Sequence, residues 1–204
     1  MSPPIPHAAV AVTLLLLSCA CHASAAAPGA VQVRPAPKSL YERVRAFYPE
    51  QIPPFVRAGF RKYDDRGENV SVGYNRFFLL TTTTCAFTAY FYPLPPAPAG
   101  RDALADHLAR ARREVLDAHP GAKVVSAGQV TAEKKGKRYD GLRVTFRYEA
   151  DFGAPGKRQA VLSDLYLFRD GDRAVKYRIT FAADDEKTEQ EHLEKFLAAF
   201  PWPD

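Results

Sequence analysis

Apolar and polar residues alternate with a period of two through most of the chain after Phe55. Thr81, Thr83, Cys85, Phe87, Ala89 and Phe91 share one side of an extended segment, and Thr82, Thr84, Ala86, Thr88, Tyr90 and Tyr92 share the other. Its four consecutive threonines are stiff at χ1 and suit a strand better than a helix. Val70, Val72 and Tyr74 alternate in the same way before a break expected near Asn75 and Arg76, and Phe55 to Tyr63 is a further strand. Four more follow. Lys123 to Thr131 leads into the turn EKKGK. Arg138 to Ala150 turns Leu142, Val144, Phe146 and Tyr148 inward and Arg143, Thr145, Arg147 and Glu149 outward. Gln159 to Phe168 is apolar on both faces, as a mid-sheet strand would be. Arg173 to Ala182 buries Val175, Tyr177, Ile179 and Phe181, with Lys176 and Arg178 outward, and the preceding Asp170-Gly171 pair is a hairpin signal.

Three segments carry the helical period instead. Ser39 and Glu42 have the spacing of a capping box, in which each side chain satisfies the other's free backbone N–H, and Leu40, Tyr41, Val44, Phe47 and Tyr48 lie on one face before Pro49. Arg101 to Ala118 has the stripe Leu104, Leu108, Ala111 and Val115 and ends at His119-Pro120-Gly121. The last helix starts behind Asp184, Asp185 and Glu186, which suit its positive end, and buries Leu193, Phe196, Leu197 and Phe200. Short turns join neighbouring strands, so no parallel crossover is needed. The expected fold is α+β: a twisted antiparallel sheet of about six strands packed with helices.

The amino-terminal stretch is of another kind. Ala8 to Leu17 is an uncharged apolar run, too short for a span of ~20 residues and right for a signal-peptide core. Ala23-Ser24-Ala25 has the small-x-small form of a cleavage site, giving the expected division: leader 1–25, Pro/Ala-rich linker 26–38, one α+β domain 39–204. Alternatively Leu16-Leu17-Ser18-Cys19 resembles a lipobox, with Cys19 acylated and the linker as a tether. The expected location is the periplasm or outside the cell, or a membrane surface if Cys19 carries lipid. Cleavage after Ala25 leaves Cys85 as the single cysteine, so the core would hold the fold without a disulfide.

NVSVGYN followed by TAYFYPLP, and later LYLFRDGDRAVKYRITFAADD before a closing helix, resemble a family of uncharacterised exported bacterial proteins. Their order of elements in turn resembles the Mog1/PsbP-like fold. The resemblance spans Phe55 to Phe200 and implies a small non-catalytic binding or accessory domain, with no catalytic residues to carry across.

Candidate chemistry is sparse. His107, His119 and His192 stand on or beside helices without a second ligand at metal spacing, and read as solvated. A nucleophile elbow and a phosphate-binding glycine loop are both missing. Cys85 falls on the apolar face beside Phe87, where a thiol behaves as a core side chain. No metal or cofactor is expected, and the sequence points away from an enzyme, a hydrolase whose site is assembled only by the fold being the least favoured alternative. The net charge of +5 favours anionic neighbours. Lys134, Lys135, Lys137 and Arg138 form a basic turn, and a meander would bring it to the same end of the sheet as Arg169 and Arg173. These six are the candidate binding residues, facing a protein partner or an anionic surface. Few aromatic residues accompany them, which argues against nucleic acid.

Overall fold

A computed structural model describes residues 38–79 and 82–203. The expected leader, Cys19, the linker up to residue 37, and Thr81 lie outside the described residues.

The elements are α1 (Leu40–Phe47), β1 (Gln51–Ile52), β2 (Phe55–Lys62), β3 (Val70–Phe78), β4 (Thr82–Pro93), α2 (Ala103–Ala118), β5 (Lys123–Lys134), β6 (Lys137–Asp151), β7 (Arg158–Asp170), β8 (Arg173–Ala182) and α3 (Glu186–Ala199), with a 3-10 turn at Ala183–Asp185. The strands form one sheet in the order β1-β2-β3-β4-β8-β7-β6-β5, and every neighbouring pair is antiparallel. The fold is α+β, as expected, but the sheet has eight strands rather than about six. Two residues ahead of Pro53-Pro54 are too few to announce β1. The break expected near Asn75 is a change of register between Arg76 and Phe77, and β3 continues through Phe78.

Local chemistry sets the element ends. Ser39 and Glu42 close the capping box at the start of α1. Asp102 accepts from the Ala105 N–H at 2.7 Å and caps α2. Gly171 takes φ +63 in the β7–β8 turn, a conformation open to glycine at little cost.

Rings that alternate along β4 and β8 converge on one face beneath α1, α3 and the carboxy-terminal segment. Phe196 of α3 lies 4.2 Å from Phe55 and 4.8 Å from Phe87, centroid to centroid, with Tyr74 and Phe200 around it. Trp202 donates its indole N–H to the Tyr177 hydroxyl, so a buried polar tip is matched. Phe146, Tyr177 and Phe196 are all buried. On the opposite face α2 lays Ala111 and Val115 over Val144, Phe146, Leu165 and Leu167.

Two buried polar groups interrupt these apolar layers. β7, expected to be apolar on both faces, carries Ser163 and Asp164 at its centre. Arg143 reaches Asp164 with two hydrogen bonds (2.8 and 3.3 Å), and the Thr145 hydroxyl donates a third at 2.6 Å. Thr145 is therefore buried rather than outward, because a carboxylate inside a sheet needs donors on its neighbour strand. Glu189 of α3 is likewise buried, with Arg76 bonded to one oxygen and to Thr84.

Gly141 of β6 lies under the Phe168 ring, and a Cβ there would also stand 2.7 Å from the Leu167 carbonyl oxygen. Gly141→Ala is expected to destabilise the domain by about 2–3 kcal/mol. Gly128→Ala, where a Cβ meets nothing within 4 Å, is expected to stay within about 1 kcal/mol of the parent. Urea unfolding of both variants checks the pair; equal stability would show that β6 and β7 are not packed as described.

Candidate functional site

The six cations expected to share one end of the sheet are in part brought together. The β5–β6 and β7–β8 turns do lie side by side, since Lys137 Nζ is 3.5 Å from an Asp170 carboxylate oxygen. Lys135, Lys137, Arg138 and Arg169 are exposed, but most of the six already have a partner within the chain. Lys134 Nζ donates to the Leu197 carbonyl oxygen at the end of α3, and burial lowers its pKa. Arg138 pairs with Asp140 at 3.1 Å, and Arg169 donates to the Gly171 carbonyl oxygen at 2.8 Å. Lys135 Nζ sits over the Phe47 ring, and Arg173 is half-buried on β8.

A better-formed site lies on the opposite face, where α2 leaves β4 and β8 partly uncovered. Register pairs Tyr90 with Lys176 and Thr88 with Arg178, so these side chains rise together beside the helix. The floor and wall form two adjoining recesses. One, of about 370 Å³, is lined by Tyr90, Val115, His119, Lys176, Arg178 and Thr180 among others. The second, of about 250 Å³, is lined by Tyr63, Asn69, Tyr90, Tyr92, His107 and Lys176, and Glu114 of α2 borders both.

Lys176 is the centre of this site. Its ammonium lies 4.5 Å from the Tyr90 ring centroid and 5.6 Å from that of Tyr92. No carboxylate among the described residues comes within ion-pair distance of it. Burial lowers its pKa; Glu114 opposes the shift and Arg178 adds to it. Arg178 spends one hydrogen bond on neutral Ser163 Oγ (2.9 Å), which also meets Thr180 Oγ1 at 3.0 Å. Lys176 and Arg178, expected to point outward, thus face a half-closed recess. Two partly desolvated cations with no carboxylate in direct contact, walled by aromatic rings and with Glu114 at the rim, are suited to an incoming carboxylate or similar anion.

The histidines also differ from the solvated expectation. His107 is half-buried, with Nε2 2.7 Å from the Tyr92 hydroxyl. Burial, Lys176 and Arg110 all lower its pKa against the opposing pull of Glu114 and Asp106. His119 stacks on Tyr148 at 4.0 Å, and burial followed by Arg178 lowers its pKa. Both imidazoles are held neutral. The recess therefore offers fixed cations, two imidazoles whose neutral form is favoured, and one carboxylate, Glu114, at its rim. Beneath Arg178 the buried Ser163 hydroxyl has Arg178 and Thr180 as hydrogen-bond partners and no imidazole among them. Cys85 is fully buried, and burial, with Glu189 second, pushes its thiol pKa well up. A thiol so placed is a poor nucleophile. Sequence reasoning missed the recess because period-two alternation says which side of a strand a residue takes, not what covers that side.

No protein-family model matches the chain, and no curated protein matches it. Solved structures similar to it include the protein of unknown function PA94 from Pseudomonas aeruginosa, at 11% identity and a TM-score of 0.43 over 76% of this chain and 87% of that one. The cyanobacterial PsbP of Synechocystis is similar at 15% identity and a TM-score of 0.40, over 73% of this chain and 92% of that one. The Ran-binding protein Mog1p of Saccharomyces cerevisiae is similar at 14% identity and a TM-score of 0.35, over 70% and 78%. These are Mog1/PsbP-like neighbours, the fold group that the strand and turn pattern resembles.

Neutral His107 has a signature in pH. Its folded pKa is below the ordinary value of about 6.5, so its stabilising contribution is complete above that value. The contribution is lost as the pH falls from there through the folded pKa, because the unfolded chain takes up the proton first. His119 and His192 carry the same sign. His107→Gln, which keeps a polar group against Tyr92, is expected to make urea stability fall less steeply between about pH 7 and 5. An unchanged slope would mean that His107 is solvated.

Proposed function

We propose that this chain is an exported α+β domain that works by binding, and that the recess between α2 and the strands β4 and β8 receives an acidic group of its ligand. The observation that carries this reading is Lys176: a half-buried ammonium over two tyrosine rings, with no carboxylate partner among the described residues. Holding a cation partly out of water costs stability, and a carboxylate entering the recess offsets that cost. The buried thiol of Cys85 and the Arg178-bonded hydroxyl of Ser163 favour binding over turnover. The expected leader, with cleavage after Ala25, supports export, and so does the alternative of acylation at Cys19. Intact mass of the mature chain separates a start at Ala26 from a lipid-bearing Cys19. Among the described residues no helix is long and apolar enough to cross a membrane.

A second reading keeps the basic turns as an anion-facing edge, favoured by the Lys137–Asp170 contact that joins them. It is tested by replacing Lys135, Lys137 and Arg138 with Ser and measuring binding to anionic vesicles at low salt. Binding that falls with the substitutions supports the edge, and unchanged binding removes it.

The recess itself is tested with benzoate as a probe and benzamide as its uncharged control, followed by amide chemical shifts. Benzoate is expected to shift residues around Lys176 and Arg178, and benzamide is not. Lys176→Met is expected to abolish the benzoate shifts while raising stability by about 1 kcal/mol, because a half-buried charge without a direct ion pair has gone. The Ser variants of the turn should titrate like the parent. Benzoate shifts that persist in Lys176→Met would overturn the assignment.

A further inference from the structure

The two edges of the sheet are treated differently. On one side β1 is two residues long and is followed by Pro53-Pro54, which leaves little backbone to pair. On the other, β5 runs for twelve residues and, among the described residues, pairs with β6 alone. From Val124 to Ala132 it carries no charge and no proline, and most of its residues are exposed, with Val125 at 52%. Natural sheets blunt a free edge with central lysines, prolines or brevity, because every second residue of an edge strand turns an unpaired N–H and C=O outward. Here the charges stand only at the ends, Lys123, Glu133 and Lys134, and the one irregularity is a register shift between Val124 and Ser126.

Beside this edge, on the face that α2 covers, runs an apolar trough of about 440 Å³. Its floor is Ala127, Leu142 and Val144, and its rim on α2 carries Arg112 and Arg113. Both arginines are exposed, and neither has a carboxylate within ion-pair distance among the described residues. We infer that β5 accepts an extended segment of an acidic partner protein as a ninth strand. The partner's backbone completes the free ladder, and side chains at alternate positions place an apolar group in the trough and carboxylates against Arg112 and Arg113. A second copy of this chain fits poorly. Antiparallel pairing of two β5 edges about a twofold axis keeps both α2 helices on the same face, and so doubles the unpaired cations beside the junction.

The test uses the mature protein and the blocked peptide Thr-Glu-Thr-Val-Thr-Glu-Thr, whose glutamates and valine share one face of a strand. Binding is read by fluorescence anisotropy at low salt, with sedimentation to report self-association. The Glu peptide is expected to bind and its Lys counterpart to bind at least tenfold more weakly. The double variant Arg112→Glu with Arg113→Glu should reverse that preference. Two N-methylated forms, one modified on the Thr set and the other on the Glu and Val set, separate strand pairing from simple charge attraction. Only one set of N–H groups faces β5, so one form should lose binding at least tenfold and the other keep it. Equal binding of both forms, no binding of the parent peptide up to about 1 mM, an unchanged preference in the double variant, or a dimer that pairs through β5 would each overturn the inference. Because β5 and Lys176 lie on different parts of the sheet, Lys176→Met should leave peptide binding unchanged, so the two readings fail separately.

Discussion

Eight strands spaced about 4.8 Å apart make a sheet ~34 Å wide, whereas α2 is ~10 Å across with its side chains and stands alone on the second face among the described residues. The first face is closed by α1, α3 and the carboxy-terminal segment, where Phe196, Phe200, Tyr74, Phe87 and Tyr177 meet in a continuous ring cluster. Stability can rest on that side. The second face must leave sheet bare on both flanks of its helix, and the chain has furnished the flanks differently. Toward β4 and β8 the strand positions that line the gap are Tyr90, Lys176 and Arg178; toward β5 they are Ala127, Leu142 and Val144. Both candidate binding regions follow from this unequal cover.

The buried polar groups fix what hydrophobic burial alone would leave loose. A one-residue slip of β6 against β7 would separate Asp164 from Arg143 and Thr145 and strand a carboxylate inside the sheet, so the network selects the register. Arg76 and Glu189 do the same between β3 and α3. Such pairs contribute little net stability, since desolvation offsets most of their attraction, but any other arrangement leaves a charge unpaired. Lys176 stands apart from both, as a half-buried charge for which the described residues provide rings and, in Glu114, a carboxylate nearby but no direct ion pair.

The legible part of the fold was the part written in period two with one covered face. Cys85, Phe87, Ala89 and Phe91 on β4, and Val175, Tyr177, Ile179 and Phe181 on β8, are buried as their alternation requires. The meander also placed the Lys137 turn beside Asp170 correctly. What failed shares a physical reason. Thr145 was misplaced because polarity was read as exposure, and Ser163 and Asp164 were passed over because their strand was read as apolar on both faces; hydrogen bonds to neighbouring strands let all three be buried. Lys176 and Arg178 were misread because alternation assigns a side and is silent on a helix that arrives from sixty residues away in the chain. β1 was missed because two residues carry no period at all.

α2 half-closes a recess in which the Lys176 ammonium lies over two rings with no carboxylate in direct contact, and the decisive experiment is the titration of that one ammonium, followed by NMR in the free protein and again with benzoate present. The account predicts a pKa below that of an ordinary lysine which moves up when benzoate is added, because a bound carboxylate favours the charged form. An ordinary lysine pKa that benzoate leaves unmoved would contradict it.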